Sequence, residues 1–335
     1  MEDNAGMKAK PPVTSMSKLM SKSATKSSPK SASSAPAPTS GEKYDIRPEQ
    51  SVELLKALHI LTRDGKLNQD SRRKLKQVYH LFNFIEPLLL KVQQDYPDVT
   101  LVDHGAGKSY LGFILYDLFF KLQAKPGEKT PGRVIGVEVR DELVQRSAAL
   151  AKEFGFSGMQ FLNLSVAASE ASQQLPKRID IVTALHACNT ATDDAIAFGL
   201  AHQVQHMVLV PCCQAEVAAT LKAGKNKTMA GKALAELWRH PLHTREFGSQ
   251  LTNVLRCLQL EAHGYSVTVT ELVGWEHSMK NELIIATRGV HSHKAASARS
   301  AAARLQEVLG QLGLSEMRPR FFTPLLSAPA AVQPA

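Results

Sequence analysis

The chain has 335 residues, 44% of them hydrophobic and 6% aromatic, with a formal net charge of +9. That is enough apolar material for one large α/β domain or two smaller ones, and no stretch approaches the roughly 20 consecutive apolar residues that span a bilayer. Four cysteines, at positions 188, 212, 213 and 257, are too few and too unevenly spaced for a disulfide framework, so a reducing compartment is expected, with cytoplasm as the default. The basic balance attracts polyanions, nucleic acid first among them.

Residues 1–43 are Ser-, Pro- and Lys-rich, with runs such as Ser27-Ser28-Pro29-Lys30-Ser31, and have too few large apolar side chains to offset ordering entropy. They are expected to form a disordered basic tail. Residues 44–98 are expected to be a helical extension. A first helix begins after Pro48 with Leu54, Leu55 and Leu58 on one face and stops before Asp64-Gly65. A second, capped by Asp70 or Ser71, carries an apolar stripe of Leu75, Val78, Leu81, Phe82 and Ile85. Its basic residues, Arg72, Arg73 and Lys74, sit in the first turn, where the helix dipole disfavours them. Local stability gives no reason for that bunching; a phosphate contact or a merely solvated face would.

From residue 99 to about 290 the pattern becomes short aliphatic runs alternating with helical spacing. Five runs, Thr100–Val102, Arg133–Val137, Met159–Leu162, Ile179–Leu185 and His206–Val210, read as strands of a parallel, doubly wound sheet. Two further runs, Ser266–Leu272 and Asn281–Thr287, have no helix between them and pair most simply as a hairpin, which puts one antiparallel strand in a sheet of seven. Residues 291–335 are expected to be a helical and flexible tail, helical around Ala301 to Leu309.

The strongest signal is Val102-Asp103-His104-Gly105-Ala106-Gly107-Lys108-Ser109, between the first strand and a helix. A Walker A loop would need glycine at position 102, which is Val102, and a dinucleotide fingerprint would need a small residue at Tyr110. What remains is acid-x-Gly-x-Gly. The second strand ends in Gly136-Val137-Glu138-Val139-Arg140, and an acid at that edge accepts hydrogen bonds from ribose hydroxyls in dinucleotide folds.

On these residues the chain resembles the class I S-adenosylmethionine-dependent methyltransferases, which have a Rossmann-like fold. The resemblance implies that Asp103 orients the amino acid part of S-adenosylmethionine, that Gly105 and Gly107 let the backbone approach it, that Glu138 takes the ribose, and that Asn163 meets the adenine amino group, where many relatives have aspartate. The fourth strand leads into Leu185-His186-Ala187-Cys188-Asn189, the stretch that faces the transferred methyl in this fold. His186 is then a cofactor contact and a candidate base, or a histidine satisfied by its own loop. The fifth leads into Pro211-Cys212-Cys213, where Cys212 is a candidate nucleophile or a pocket-lining thiol. A zinc site from His186, Cys188, Cys212 and Cys213 lacks Cys-x-x-Cys spacing and would fill the acceptor pocket, so no metal is expected.

With Asp-x-Gly-x-Gly-Lys, Leu-His-Ala-Cys, Pro-Cys-Cys and Met279-Lys280-Asn281, the stretch from Arg72 to Ala286 resembles a subgroup of RNA-type methyltransferases. It implies RNA, tRNA or rRNA, as substrate, with Lys108, Arg72, Arg73, Lys280 and Asn281 as substrate-binding residues. Lys222, Lys225, Lys227, Lys232, Arg239 and Arg245 add to a basic rim. The same cofactor motifs serve protein and small-molecule methyltransferases, and a non-catalytic RNA-binding scaffold is the third reading.

Overall fold

The computed structural model describes residues 46–124, 130–169, 172–185, 187, 189–211, 214–224, 236–237, 239–272, 282–289 and 294–324. The basic tail therefore lies outside the described residues, as do His186, Cys188, Cys212, Cys213, Lys280 and Asn281.

The helical extension comes first. Helix α1 (Val52–Ala57) is capped by Ser51, whose Oγ accepts from the Leu54 amide at 3.2 Å. Helix α2 (Gln69–Asp95) starts one residue ahead of the expected cap. Its cap is Asn68, not Asp70 or Ser71: the Asn68 Oδ1 accepts from the Ser71 amide at 2.7 Å, which satisfies one of the unpaired donors at the helix start. The whole predicted stripe from Leu75 to Ile85 is buried, and it continues to Leu89 and Val92 past Pro87. Proline costs about 3 kcal/mol inside a helix; the burial of Ile85, Leu89 and Val92 on either side of it offsets that cost and keeps the helix running.

The seven strands are β1 (Val99–His104), β2 (Gly132–Glu138), β3 (Met159–Asn163), β4 (Ile181–Ala184), β5 (His206–Leu209), β6 (Tyr265–Glu271) and β7 (Glu282–Arg288). They form one sheet in the order β3-β2-β1-β4-β5-β7-β6. Strand β7 runs antiparallel to both β5 and β6, so the expected hairpin exists and its second strand, not its first, docks on the parallel sheet. This is a Rossmann-like, doubly wound sheet with one antiparallel strand.

Between the strands lie α3 (Tyr110–Leu115), which continues through a π-helical turn (Tyr116–Phe120) into α4 (Lys121–Gln123), then α5 (Asp141–Glu153), α6 (Val166–Ser169), α7 (Ala191–Ala201), α8 (Glu216–Gly224) and α9 (Pro241–Ala262). Helix α10 (Lys294–Gln311) follows β7. Alternate residues of each strand go to opposite faces. Leu101, Val134, Ile181 and Val208 pack with α2 and α3, whereas Val102, Ile135, Val182 and Leu209 pack with α7. A third cluster joins α8, α9 and α10 through Val217, Leu221, Leu251, Leu255, Leu305 and Leu309.

The π-helical turn joins the extension to the sheet. It turns the buried Asp117 so that its Oδ2 accepts from the Ser51 amide at 2.8 Å while its Oδ1 meets the Lys121 Nζ at 2.6 Å. The chain entering β2 is equally tight. Gly132 has φ +156°, and a Cβ there would lie 2.3 Å from Phe120 Cε1 and 2.7 Å from the Val99 carbonyl oxygen. Gly132→Ala is expected to destabilise the fold by about 1–3 kcal/mol through overpacking, read as a lower urea midpoint at unchanged slope.

Candidate cofactor and acceptor site

Strand order reverses between β1 and β4, and the loops that leave the C-terminal ends of β1, β2, β3 and β4 converge there. Asp103 lies on β1, between Gly136 of β2 and Thr183 of β4. Its carboxylate is 3% exposed and accepts a 2.6 Å hydrogen bond from Thr183 Oγ1, its one hydrogen-bond partner among the described residues. Burial drives its pKa up to about 7 against the lowering effect of the Thr183 bond. Its neighbour His104 points to the opposite face, edge-on to Phe198, where burial first and the charge of His202 second push it down to about 3. His104 is therefore a neutral core residue.

The loop after β1 makes three left-handed turns, at Gly105 (φ +65°), Gly107 (φ +58°) and Ser109 (φ +52°). The first two need no side-chain accommodation. Ser109 was not apparent as a turn residue in the sequence, and its hydroxyl is buried without a partner among the described residues.

Glu138 stands at the end of β2, against the glycine loop. Its Oε2 accepts from the Gly107 amide at 2.9 Å and from Arg140 Nη2 at 3.2 Å, and its Oε1 accepts from the Arg140 amide at 3.0 Å and from Arg140 Nε at 2.8 Å. Burial alone would raise its pKa; the bonds from Arg140 and Gly107 outweigh it and hold the carboxyl below its ordinary value. Arg140, whose side chain is 64% exposed, thus occupies the acid's acceptor positions. Sequence reading gave Arg140 no role, although in extended backbone residues two apart share a face and can pair. Between them in the chain, Val139 is a 60% exposed apolar ledge.

Asn163 ends β3 directly across from Glu138. It is exposed, with Nδ2 turned toward the Val139 carbonyl at 3.4 Å and Asp141 Oδ1 at 3.5 Å. Gly105, Gly107, Asp103, Glu138 and Asn163 therefore surround one sheet edge. On the β4 side the loop touches Gly105: a Cβ on Gly105 would sit 3.6 Å from the Ala187 Cα.

The basic residues form a second grouping. Lys108 lines a cavity of about 170 Å³ with His59, Tyr110 and Arg146. It shares Ala57 and His59 with a larger cavity of about 540 Å³, lined also by Lys56, Arg63, Asn68 and Ser71. Exposed Arg72 and Arg73 directly follow Ser71. In the insert after β5, Lys225, Lys227 and Lys232 lie outside the described residues, while Arg239 and Arg245 pair with Glu236 and Glu246 at 3.1 and 2.9 Å.

No sequence among curated proteins matches the chain. Solved structures that resemble it include the following three. Magnesium protoporphyrin IX methyltransferase from Synechocystis PCC 6803, solved with bound SAH, is 15% identical, with 71% of this chain and 93% of that chain covered and a TM-score of 0.40. Fibrillarin from Aeropyrum pernix, with S-adenosyl-L-methionine, is 12% identical over 57% of this chain and 67% of that one, with a TM-score of 0.34. TrmK from M. capricolum, with S-adenosyl-homocysteine, is 9% identical over 68% and 89%, with a TM-score of 0.33. At these scores the likenesses carry no weight for the substrate. Residues 73–220 match a family model described as a methyltransferase domain, and that stretch holds β1 to β5, the glycine loop and both acids.

Proposed function

We propose that the protein is an S-adenosylmethionine-dependent methyltransferase whose acceptor is RNA, tRNA or rRNA. The observation that carries the cofactor reading is the 2.9 Å bond from the Gly107 amide to Glu138, which brings the glycine loop and the acid of the next strand together. The chemistry of the donor set fits this cofactor. Asp103, a buried carboxylate with a single hydrogen-bond partner among the described residues, suits the amine of its amino acid part. Glu138 suits the ribose hydroxyls, which would take over the positions Arg140 holds, and Val139 with Asn163 suits the adenine. When bound, the cofactor supplies an electrophilic methyl group. The chain's own contribution is to orient the two reactants and exclude water, because in-line displacement depends chiefly on alignment.

RNA is supported by the basic grouping. The two cavities, which share Ala57 and His59, are lined by Lys56, His59, Arg63, Lys108 and Arg146 as well as Glu53 and Glu153. Lys56 pairs with Glu53 and Arg146 with Glu142, and the exposed Arg72 and Arg73 follow the cavity residue Ser71 in the chain. Cations grouped in this way suit the phosphates of a nucleic acid strand. It would also account for a helix that begins with basic residues against its own dipole. Lys280 and Asn281 in the last hairpin, and His186 and Cys212 as candidate catalytic groups, belong to the same reading. So does a cytoplasmic site of action; no described helix is long and apolar enough to cross a membrane.

The test is tritium transfer from labelled S-adenosylmethionine into total RNA and, separately, total protein, with Asp103→Ala as control. Label is expected in RNA with the wild type and not with the variant. Label in protein alone would overturn the RNA acceptor, and label in neither, with cofactor binding absent by calorimetry, would overturn the enzyme reading in favour of a scaffold.

A further inference from the structure

Arg256 lies in the middle of α9, far from the glycine loop in sequence, and its side chain is completely buried. All three guanidinium nitrogens are engaged, through four of the five N–H groups. Nε and Nη2 form a two-pronged pair with Asp193 Oδ1 and Oδ2 at 2.6 and 2.9 Å, Nη1 donates to Asn253 Oδ1 at 3.1 Å, and Nη2 also donates to the Asn189 carbonyl at 3.0 Å. Burying an arginine is costly unless every donor is met. Its partners are Asp193 in the first turn of α7, Asn189 in the loop just before that helix, and Asn253 one turn away on α9 itself.

Asn189 stands in the loop after β4 with φ +57°, a left-handed conformation that asparagine adopts more readily than other non-glycine residues. Its carbonyl is held by Arg256, and its side-chain Oδ1 accepts from the Ala215 amide at 3.4 Å, in the segment after β5. From the first turn of α7 Thr192 Oγ1 donates to the Ala187 carbonyl in that loop at 2.5 Å, and Ala187 lies against Gly105 of the cofactor loop. On its other side Asn253 donates through Nδ2 to Glu282 Oε2 at 2.7 Å, the first residue of β7 and the one that follows Lys280 and Asn281 in the chain. From the protein's outer side Arg320 spans the same elements, 3.6 Å from Asp194 and 3.4 Å from Glu216.

We propose that Arg256 is a positioning residue for methyl transfer: through Asn189 and Asp193 it locks the loop after β4 to the segment after β5 and to the start of β7, fixing the acceptor wall relative to the glycine loop. This rests on the methyltransferase reading above. The cofactor walls, Asp103 and Glu138, lie outside the network. Loosening it changes where the acceptor sits and leaves cofactor binding intact.

Two variants separate this role from simple stability. Asn189→Gly keeps the left-handed backbone and the carbonyl but removes the link to Ala215; Arg256→Lys keeps the charge but loses the fork. Amide hydrogen exchange is expected to rise roughly tenfold or more in peptides covering 189–194 and 214–222 together in both variants, with β1 to β3 unchanged. The S-adenosylmethionine dissociation constant should stay within about threefold of wild type, while kcat for total RNA falls about a hundredfold with a much smaller change in KM. Faster exchange confined to the mutated segment, or spread over the whole sheet, would overturn the proposal. So would an unchanged kcat in both variants. If the wild type labels no RNA, the acceptor assignment fails by itself, and the exchange coupling with the cofactor affinity still decides the lock.

Discussion

Arg256→Ala should cost about 3–5 kcal/mol of stability, because it leaves the Asp193 carboxylate, 2% exposed, buried without its counter-charge. Loss of the bonds to Asn189 and Asn253 adds to this by leaving a carbonyl and an amide oxygen short of a donor. The unfolding midpoint in urea measures it. The double variant Asp193→Leu with Arg256→Met replaces both charges with apolar groups of comparable reach, and it should lose less than either single substitution made alone. Strictly additive losses would mean that the pair contributes no coupling, and that burial of each side chain alone accounts for the effect. The large expected loss is also why the positioning role is tested with Asn189→Gly and Arg256→Lys, which leave the buried charge in place.

Asp103→Asn should make the fold more stable at pH 8 and at the same time weaken cofactor binding. In the folded chain burial raises the Asp103 pKa to about 7. An unfolded aspartate ionises near about 4. Between those values the folded chain holds a proton that the unfolded chain has lost, so stability falls as pH rises from roughly 4 to 7 and levels off above it. The accumulated loss at pH 8 is roughly 4 kcal/mol at most, and asparagine removes it while keeping an oxygen for the Thr183 hydroxyl. Urea midpoints at pH 4.5 and pH 8 distinguish the outcomes. A gain at pH 8 that shrinks to roughly 1 kcal/mol at pH 4.5 is expected; an equal effect at both would mean that the carboxylate is solvated well enough to ionise normally. Calorimetry on the same variant should show S-adenosylmethionine affinity reduced at least tenfold, since a neutral amide replaces a carboxylate opposite a cationic amine. A protein that keeps a destabilising acid at its sheet edge gains from it only when a cation arrives.

The two acids differ in what surrounds them. Glu138 is already ionised by the donors from Arg140 and Gly107, so it presents a settled carboxylate whose partners must be exchanged when hydroxyls bind. Asp103 has one neutral partner and waits for charge. Asp103 sits where the strand order reverses and Glu138 at the end of the neighbouring β2, and the sequence marked the first by the glycines that follow it and the second by its place at a strand end.

The sequence by itself determined the seven strands, because period-two and run-of-aliphatic patterns are local, and it determined the glycine loop, because left-handed turns at a strand-to-helix junction restrict residue type directly. It also determined the apolar stripe of α2. The cap of that helix was missed because Asn68 precedes two further capping-type residues, and only the backbone geometry chooses among them. That α2 runs on through Pro87 depended on the core that receives Leu89 and Val92, which no local propensity contains. Strand order, with β7 between β5 and β6, required tertiary pairing. The Arg256 network was invisible for the same reason: its members, Asn189, Asp193, Ala215, Asn253 and Glu282, look like ordinary polar residues until folding brings segments far apart in the chain to one guanidinium. Periodicity and turn chemistry are written within a few residues, whereas the value of a buried polar contact is set by a partner whose distance in sequence carries no signal.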